Sequence, residues 1–465
     1  YYVINRHIIM GPLLQNTIFG KSKNSFVSTW RTSNTSSGSS AANQVKLPLI
    51  GTGKYNFIID WGDGKSETIT TAAQGQIPHT YAIEGDYTIK IHGICSGWRF
   101  NNNRDKLKLL SIQSWGKLKP NISSVRENFY GCTNLDLSSV SDVLDLSGSN
   151  AMTGMFRNCT SLTTINKMNE WNTGNITNMS FVFSNCSSFN QNIGNWNTSN
   201  VTTFNTMFLN CTAFNQNLGN WNVSKSISFS LMFQGANSFN NGGSNAINNW
   251  VLNTSAGISM ASMFLYAAAF NQTLNSWDVS QVTTMQNMFS SATAFNQPIN
   301  TWNTSNVTTM QSMFSGTSRF NQNIGSWNVS KVTSFISMFQ NNTAFNNGGN
   351  SDINNWVFNS DSDINIQQMF QSATSFNQPI GNWNVSKVTN MSQMFQSAIA
   401  FNQNIGAWNT PNVTNMASMF QSATAFNNGG TSDINNWVFN SDSDVNMQQM
   451  FQSATSFNQP IGNWN

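Results

Sequence analysis

The sequence has few charged residues and almost no histidine. Charged side chains make up 8% of its 465 residues, against about 25% in a typical soluble domain. It contains three histidines, and none follows His92. A serine or threonine nucleophile needs a base within hydrogen-bond reach, and these residues do not supply one. The composition therefore predicts a protein that is not an enzyme and uses no cofactor.

The few charges are unevenly distributed. Residues 171–465 contain four basic and seven acidic residues, so the positive formal charge arises in the first 170 residues. Nucleic-acid binding depends on lysine and arginine that neutralise phosphates. Asparagine, serine, threonine and glutamine solvate this chain instead. These features exclude an electrostatic nucleic-acid binder.

Long apolar runs are absent as well. No run reaches the roughly 18 residues of a membrane span, and the first 20 residues are interrupted by polar side chains. The chain begins with Tyr1 and ends with Asn465 in mid-repeat, which indicates a segment of a longer product. We therefore expect no membrane span in this segment, with any leader or anchor outside it.

The five cysteines are few, and four of them follow a period. Cys132, Cys159, Cys186 and Cys211 lie 27, 27 and 25 residues apart, and the equivalent position later holds Ala267, Ala292, Ala373, Ala398, Ala423 and Ala454. A position that accepts cysteine or alanine favours a small buried side chain. We expect packed, unreactive thiols. Disulfides between adjacent repeats are the alternative, and no CxxC pair indicates zinc.

What the sequence has in abundance is repetition. Eleven Phe-Asn pairs begin at Phe189, at spacings of 25, 25, 31, 25, 25, 25, 31, 25, 25 and 31 residues. A fixed period of this length predicts a repeat solenoid, in which each unit buries its apolar face only against its neighbours. Such an array favours display or binding over chemistry.

One repeat, which we call a coil, predicts one short helix or helical turn and one short strand. In the coil that begins at Trp383, apolar residues Met391, Met394, Phe395 and Ala398 have helical spacing. The following Phe401, Gln403 and Ile405 alternate as a strand does. The Phe, Met and Trp side chains are interpreted as core. The amides that follow each Phe predict an internal ladder to the next coil, with solvent-facing, sugar-binding amides as the alternative.

Three coils are six residues longer than the others, from Phe239, Phe345 and Phe426. These insertions should bulge from one face and form a contact surface. The candidate binding residues are Asn240, Asn241, Asn346, Asn347, Asn427 and Asn428. Four insertion carboxylates resemble the start of a calcium loop, namely Asp361, Asp363, Asp442 and Asp444. The first copy lacks them, so the loop forms without them.

Residues 25–100 read as short strands joined by turns, a small β-sandwich. Tyr87, Ile89 and Ile91 alternate with polar residues, as in a half-buried strand. Asp60 and Asp63 offer calcium ligands, but Asp-Gly turns whose side chains bond their own backbone explain them better. His79 is interpreted as a hydrogen-bonded strand residue.

Two parts of the sequence resemble known families. The run DWGDG at 60–64, with HTY at 79–81 and GDYT at 85–88, resembles PKD-type (polycystic-kidney-disease) domains of extracellular proteins. The units NVTNMASMFQSATAFN and NVSKVTNMSQMFQSAIAFN are similar to the repeats of BspA-like leucine-rich-repeat surface proteins, as are LKLLSIQSWGKLK and ENFYGCTNL before them. This resemblance implies a leucine-rich-repeat-type solenoid on an exterior surface, associated with adhesion. Phe, Met and Trp replace the usual leucines.

The predicted organisation has four parts: an N-terminal extension at 1–24, a PKD-like β-sandwich at 25–100, a capping segment at 101–134 and a solenoid at 135–465. The solenoid has about 12–13 coils and no polar C-terminal cap. We predict a non-enzymatic, secreted or surface-displayed protein for adhesion or a structural coat. Its partners would be a host-cell, matrix or glycan surface, or neighbouring copies of itself. A virion structural or attachment protein at a virion surface and a carbohydrate-binding module are the alternatives.

Overall fold

The structure is a computed structural model that describes residues 24–120, 126–439 and 444–464. The chain divides into two compact units, Tyr1–Asn175 and Ile176–Asn465. Of the predicted extension at 1–24, only Asn24 lies within the described residues. None of the helices in the described ranges has the length and hydropathy that a membrane crossing requires.

The first unit is built on a six-stranded sheet. Its elements are β1 (Ser25–Arg31), β2 (Gln44–Val45), β3 (Leu49–Asp60), β4 (Ser66–Ile69), α1 (Ala72–Gly75), β5 (His79–Thr80), β6 (Asp86–Trp98), β7 (Leu109–Ser114) and β8 (Leu118–Lys119). The strand order is β4-β3-β6-β1-β7, antiparallel throughout, with β8 parallel beside β6. Strands β2 and β5 form a separate antiparallel pair.

The alternation read from the sequence is confirmed in β6. Ile89 and Ile91 are buried, whereas the intervening Thr88 and Lys90 reach solvent. Strands β7 and β8 extend the sheet into residues 101–134, which the sequence assigns to a capping segment. That segment therefore supplies strands as well as a connection.

A fully buried lysine fixes the Ser/Gly-rich loop between β1 and β2. The Lys108 Nζ donates to the Ser40, Ala41 and Gln44 carbonyl oxygens at 3.0, 2.7 and 2.7 Å. Asp105 accepts from the Ser40 and Lys46 backbone N–H groups at 2.7 and 2.6 Å. Burial lowers the pKa of Lys108, and the neighbouring carboxylate opposes that shift. Sequence periodicity gave no sign of this pair.

In the second unit, equivalent residues of successive coils stack on one another. Parallel backbone bridges join residues 178, 203, 228 and 259, then 284, 309, 334 and 365, then 390, 415 and 446. Two pairs lengthen into parallel strands: β9 (Ile258–Ser259) with β10 (Val282–Thr284), and β11 (Ile364–Asn365) with β12 (Val388–Asn390). The repeat interpretation of the sequence is confirmed at this level.

The strand of each coil does not lie where the alternation predicts it. In the coil that begins at Trp383 the strand is β12, and residues 401–405 form none. Phe401 and Ile405 are nevertheless buried. The alternation therefore reports burial of two side chains, and the strand prediction for that stretch is wrong.

The predicted helix is also wrong, although its apolar face is right. Met391, Met394, Phe395 and Ala398 are all buried, but residues 391–398 form consecutive turns with Gln393 and Ser397 in the left-handed region. The backbone N–H groups of residues 391, 393, 395 and 397 donate to carbonyl oxygens of the next coil at 2.8–2.9 Å. The N–H groups of Met394, Gln396 and Ala398 instead close turns within their own coil. A helix would keep these N–H groups within the coil, so stacking selects the turns.

The aromatic side chains form continuous columns. Phe183, Phe208, Phe233 and their equivalents to Phe451 stack with ring centroids 5.5–5.8 Å apart. The Phe-Asn phenylalanines form a second column, at 5.8–6.1 Å. The interpretation of these rings as core is confirmed.

The cysteine column is confirmed as a set of packed thiols. All five cysteines are free and buried. Burial raises the pKa of Cys95, Cys132 and Cys211, which keeps these thiols neutral and unreactive. The Cys211 Sγ lies 2.8 Å from the Phe183 carbonyl oxygen, and Thr317, in the same column, donates to the Phe289 carbonyl oxygen at 2.5 Å.

Asn342 occupies the same column, but its side chain makes no such hydrogen bond in the described part of the chain. It is fully buried, and neither its Nδ2 nor its Oδ1 has a partner among the described residues. Asn342→Ala should raise the free energy of unfolding by about 1–3 kcal/mol, because it removes an unpaired buried amide. Urea denaturation with an unchanged m-value would measure the gain. Thr317→Ala is the control: Thr317 is paired, so its loss should give no gain. A fall in stability for Asn342→Ala would contradict the prediction.

Candidate binding surface

The insertions are ordered 3₁₀ segments. The pairs are Asn241–Gly243 with Asn245–Asn249, Asn347–Gly349 with Ser351–Asn355, and Asn428–Gly430 with Ser432–Asn436. Each begins with three left-handed residues, such as Asn347, Gly348 and Gly349 at φ 51°, 61° and 79°. This run explains the Asn-Gly-Gly sequence, since glycine adopts positive φ without steric cost.

Three of the six candidate binding residues are buried by these turns. Asn241, Asn347 and Asn428 are 0% exposed. Their Oδ1 atoms accept from the N–H groups of Leu218, Ile324 and Ile405 in the preceding coil at 2.8–2.9 Å. The expectation that these three side chains form a contact surface is therefore wrong, because the stack uses their amides internally.

The other three candidates belong to a ladder of asparagines. Asn240, Asn346 and Asn427 are part of a series of eleven, from Asn190 to Asn458, in which each backbone N–H donates to the previous Oδ1 at 2.8–3.0 Å. Six glutamines donate to the same asparagines: Gln216, Gln272, Gln297, Gln322, Gln403 and Gln459. The predicted internal amide ladder is confirmed, and the Oδ1 atoms of these asparagines are bonded within the stack.

Two carboxylates that sequence reasoning missed brace the later insertions. Asp352 accepts from the side chains of Asn323 and Asn347, each at 2.8 Å. Asp433 accepts from Asn404, Asn428 and Thr431. Burial alone raises the pKa of Asp433, but these hydrogen bonds outweigh it, and the net pKa lies below the ordinary value. Ala246 occupies this position in the first insertion, so the carboxylate is not needed for the turn.

Asp60 and Asp63 lie in turns, as the simpler interpretation of the sequence expects. The Asp60 Oδ1 accepts from the Gly62 N–H at 3.0 Å, and the Asp63 Oδ1 from the Lys65 N–H at 3.1 Å. The other oxygen of Asp63 lies 3.0 Å from the His79 Nε2. Burial raises the pKa of Asp63, but the hydrogen bonds from His79 and Lys65 reverse the shift and lower it overall. His79 is therefore hydrogen-bonded, as expected.

The insertion carboxylates do not converge in the described part of the chain. Asp361, Asp363 and Asp444 are exposed, and Asp442 lies outside the described residues. The Asp361 backbone N–H donates to the Asn359 side chain at 2.8 Å, which makes a local turn. Within residues 24–120, 126–439 and 444–464, no three His, Cys, Asp or Glu side chains come together as a metal site.

Exposed apolar side chains mark the long coils. Val251, Val357 and Val438 directly follow a buried tryptophan and are 69%, 70% and 61% exposed. Ordinary coils carry asparagine or aspartate here, such as Asn222, which caps its own turn. The insertions therefore present a valine where other coils present a polar side chain.

A second irregularity lies in the same long coil as Val251. The left-handed column that contains Ser397 holds serine, asparagine or glycine in most coils but a tyrosine at Tyr266. Tyr266 is 55% exposed and borders a shallow cavity of about 460 Å³. The departure from the repeat at Leu265-Tyr266-Ala267-Ala268 is visible in the sequence, and alignment of the coils would have identified it.

The chain matches one family model. The family model described as "Mycoplasma protein of unknown function, DUF285" matches it three times in tandem, at residues 123–250, 241–356 and 347–464. The two overlaps, 241–250 and 347–356, coincide with the first and second insertions. No curated protein and no solved structure matches the chain.

Proposed function

Since the chain belongs to the family of Mycoplasma proteins of unknown function called DUF285, we propose that it is a non-enzymatic, surface-displayed or secreted repeat protein that binds a host-cell, matrix or glycan surface. The observation that carries this proposal is the self-sufficiency of the stack. The Phe columns and the asparagine ladder hold each coil to the next, so the outer side chains are free to vary for contact.

We extend this proposal to the fold of two parts of the chain. Residues 135–465 would form a leucine-rich-repeat-like solenoid of the BspA type, with Phe and Met in place of leucine. Residues 25–100 would be a PKD-like spacer. The Asp-Gly turns after β3 and the Tyr81 hydroxyl, which donates to the Trp61 carbonyl oxygen at 2.9 Å, support a rigid module without a catalytic role.

The chemistry of the outer surface favours contact through hydrogen bonds and apolar patches. Hydroxyl and amide side chains dominate the second unit, and charged residues are rare in it. Threonines line one outer column, where Thr308 and Thr333 bond to the carbonyl oxygen of the previous coil. The family description names Mycoplasma proteins and gives no function, so a virion component stays the alternative to a cell-surface protein.

Binding to the target surface should be nearly independent of salt. We expect the Kd of the purified chain for host cells, matrix proteins or glycans to change less than about threefold between about 50 mM and about 500 mM NaCl, because few charges are there to be screened. Biolayer interferometry on immobilised surfaces would measure it, with a blocked surface as the control. The absence of binding to every surface would refute adhesion, and a tenfold loss with salt would refute a neutral contact face.

The exposed valines test whether the insertions contribute to that contact. A triple variant, Val251→Asn, Val357→Asn and Val438→Asn, gives each long coil the residue that ordinary coils carry. If the insertions contact the partner, this variant should lower affinity at least about fivefold. Ile399→Thr, on an exposed side chain of an ordinary coil, is the matched control. Unchanged binding of the triple variant would exclude the valines from the contact.

A further inference from the structure

The backbone conformation at Tyr266 is energetically unfavourable for a tyrosine. Its φ is 59°, in the left-handed region that a bulky side chain rarely occupies. Equivalent coils place Asn210, Gly235 or Ser291 at this position, residues that are small or adopt such a backbone more readily. With 55% of its surface exposed, the ring gains little from burial. Strain that packing does not offset is typical of a functional position.

The neighbouring coils leave space beside the ring. The cavity of about 460 Å³ has Tyr266 as one wall, with Gly235 and Ala268 among the small residues that line it. Any β-carbon at Gly235 would lie 2.3 Å from the Asn210 Oδ1, so glycine keeps this side open. The volume falls within the roughly 300–1,000 Å³ of typical small-molecule sites.

The rim of the cavity is polar, uncharged and held in place. Asn210, Thr212 and Asn237 lie along it, and all three are exposed. In the orientation that satisfies its partners, the Asn237 amide nitrogen donates to the carbonyl oxygens of Tyr266 and Gly235 at 2.8 and 3.2 Å. The Asn210 Nδ2 donates to the Asn185 Oδ1 at 2.8 Å. These bonds preorganise the rim before a ligand arrives.

We propose that the cavity beside Tyr266 binds a neutral saccharide, through one sugar face stacked on the tyrosine ring and hydroxyl groups bonded to the Asn and Thr rim. An exposed aromatic ring offers an apolar face. On the rim, the Thr212 hydroxyl already donates to the Ser187 carbonyl oxygen at 3.1 Å, so the rim oxygens serve chiefly as acceptors for sugar hydroxyl groups. No charged side chain lines the cavity, which disfavours uronic, sialylated or sulfated sugars. This inference rests on the proposed binding function and gives it a ligand class.

The test uses the full chain and a defined panel of sugars: the methyl glycosides of glucose, galactose, mannose and N-acetylglucosamine, with cellobiose, lactose and chitobiose. Saturation-transfer NMR and calorimetry should detect binding of at least one, in the millimolar range expected of a shallow site. Tyr266→Ser, which installs the residue of Ser291, should weaken that binding at least about tenfold, or about 1.4 kcal/mol. Tyr266→Phe should stay within about threefold, because the ring face remains.

Ser397→Ala, in the same column four coils from the cavity along the described second unit, is the matched control and should leave sugar binding unchanged. An unchanged or higher melting temperature for Tyr266→Ser would show that loss of binding is not loss of fold. No binding to any panel sugar, or binding that survives Tyr266→Ser, would overturn the site. A proline-rich peptide that binds through Tyr266 while no sugar does would also overturn it.

The results of these experiments distinguish failure of the saccharide site from failure of the adhesion function. If the chain adheres to cells or matrix and Tyr266→Ser has no effect on the sugar panel, the saccharide site is wrong and the adhesion function stands. If panel sugars bind through Tyr266 but the chain adheres to no cell, matrix or glycan surface, the site stands and the adhesion function is wrong.

Discussion

Replacing Phe314 with alanine should lower the free energy of unfolding by about 3–5 kcal/mol, the range typical of a large buried aromatic side chain. The ring is fully buried. It stacks on Phe289 and Phe339 at 5.8 and 5.7 Å and on Phe320, in its own coil, at 4.0 Å. Its loss opens a cavity between three coils, and the neighbouring columns prevent them from collapsing into it. Urea denaturation followed by tryptophan fluorescence would give the change.

Arg319→Ala is the matched control for this substitution. Arg319 lies in the same coil but is exposed, so its truncation should change the free energy of unfolding by less than about 0.5 kcal/mol. Because coils contact only their neighbours, limited proteolysis of Phe314→Ala should cut first near the altered coil. A loss below about 1 kcal/mol would contradict tight packing of the phenylalanine columns.

Removal of one amide from the asparagine ladder should have the next largest effect. The Asn321 Oδ1 accepts from the backbone N–H of Asn346 at 2.8 Å and of Gly348 at 2.9 Å. Asn321→Ala leaves both N–H groups without this acceptor. An N–H group that stays buried and unpaired lowers the free energy of unfolding by about 1–3 kcal/mol. The Gly348 N–H is exposed and can bond to water instead, so we expect a loss of about 1–3 kcal/mol, together with faster amide hydrogen exchange in the insertion from Asn347 to Asn355.

Two variants separate the ladder from a general loss of polarity. Asn321→Asp keeps an oxygen in the accepting position and should recover most of the stability. Asn300→Ala removes an exposed asparagine from the neighbouring coil and should change stability by less than about 0.5 kcal/mol. Equal effects of Asn321→Ala and Asn300→Ala would show that the ladder does not hold the insertion.

The sequence predicts the stacking because the repeat puts the same side chain at the same place in every coil. Phe395, Phe420 and Phe451 occupy one column through spacings of 25 and 31 residues, and only burial repeats with that regularity. The same reasoning identified the packed thiol column and the amide ladder. Both predictions concern which side chains face inward or bond to an adjacent coil.

Local backbone form was harder to predict. The spacing of Met391, Met394 and Phe395 fits a helix, yet these residues lie in turns. Spacing records which side chains are buried, and both a helix and a chain of turns satisfy it. The choice depends on where the N–H groups find acceptors, and the Met391 N–H finds the Asn415 carbonyl oxygen in the next coil.

The candidate site was misjudged for the same reason. Asn347 looks like a loop residue in the sequence but is buried under the preceding coil, whereas Tyr266, which sequence reasoning passed over, is exposed. Neither fact follows from residue type. The position of a residue within its coil and the size of its neighbours above and below decide its exposure.

The sequence by itself determined the period, the inward columns of Phe, Met and Trp and the neutral exterior, since these depend on composition and spacing alone. Only the tertiary structure decided the path of each turn, the burial of the insertion asparagines and the opening beside Tyr266. These features arise from hydrogen bonds and contacts between coils 25 or 31 residues apart, which no local segment contains.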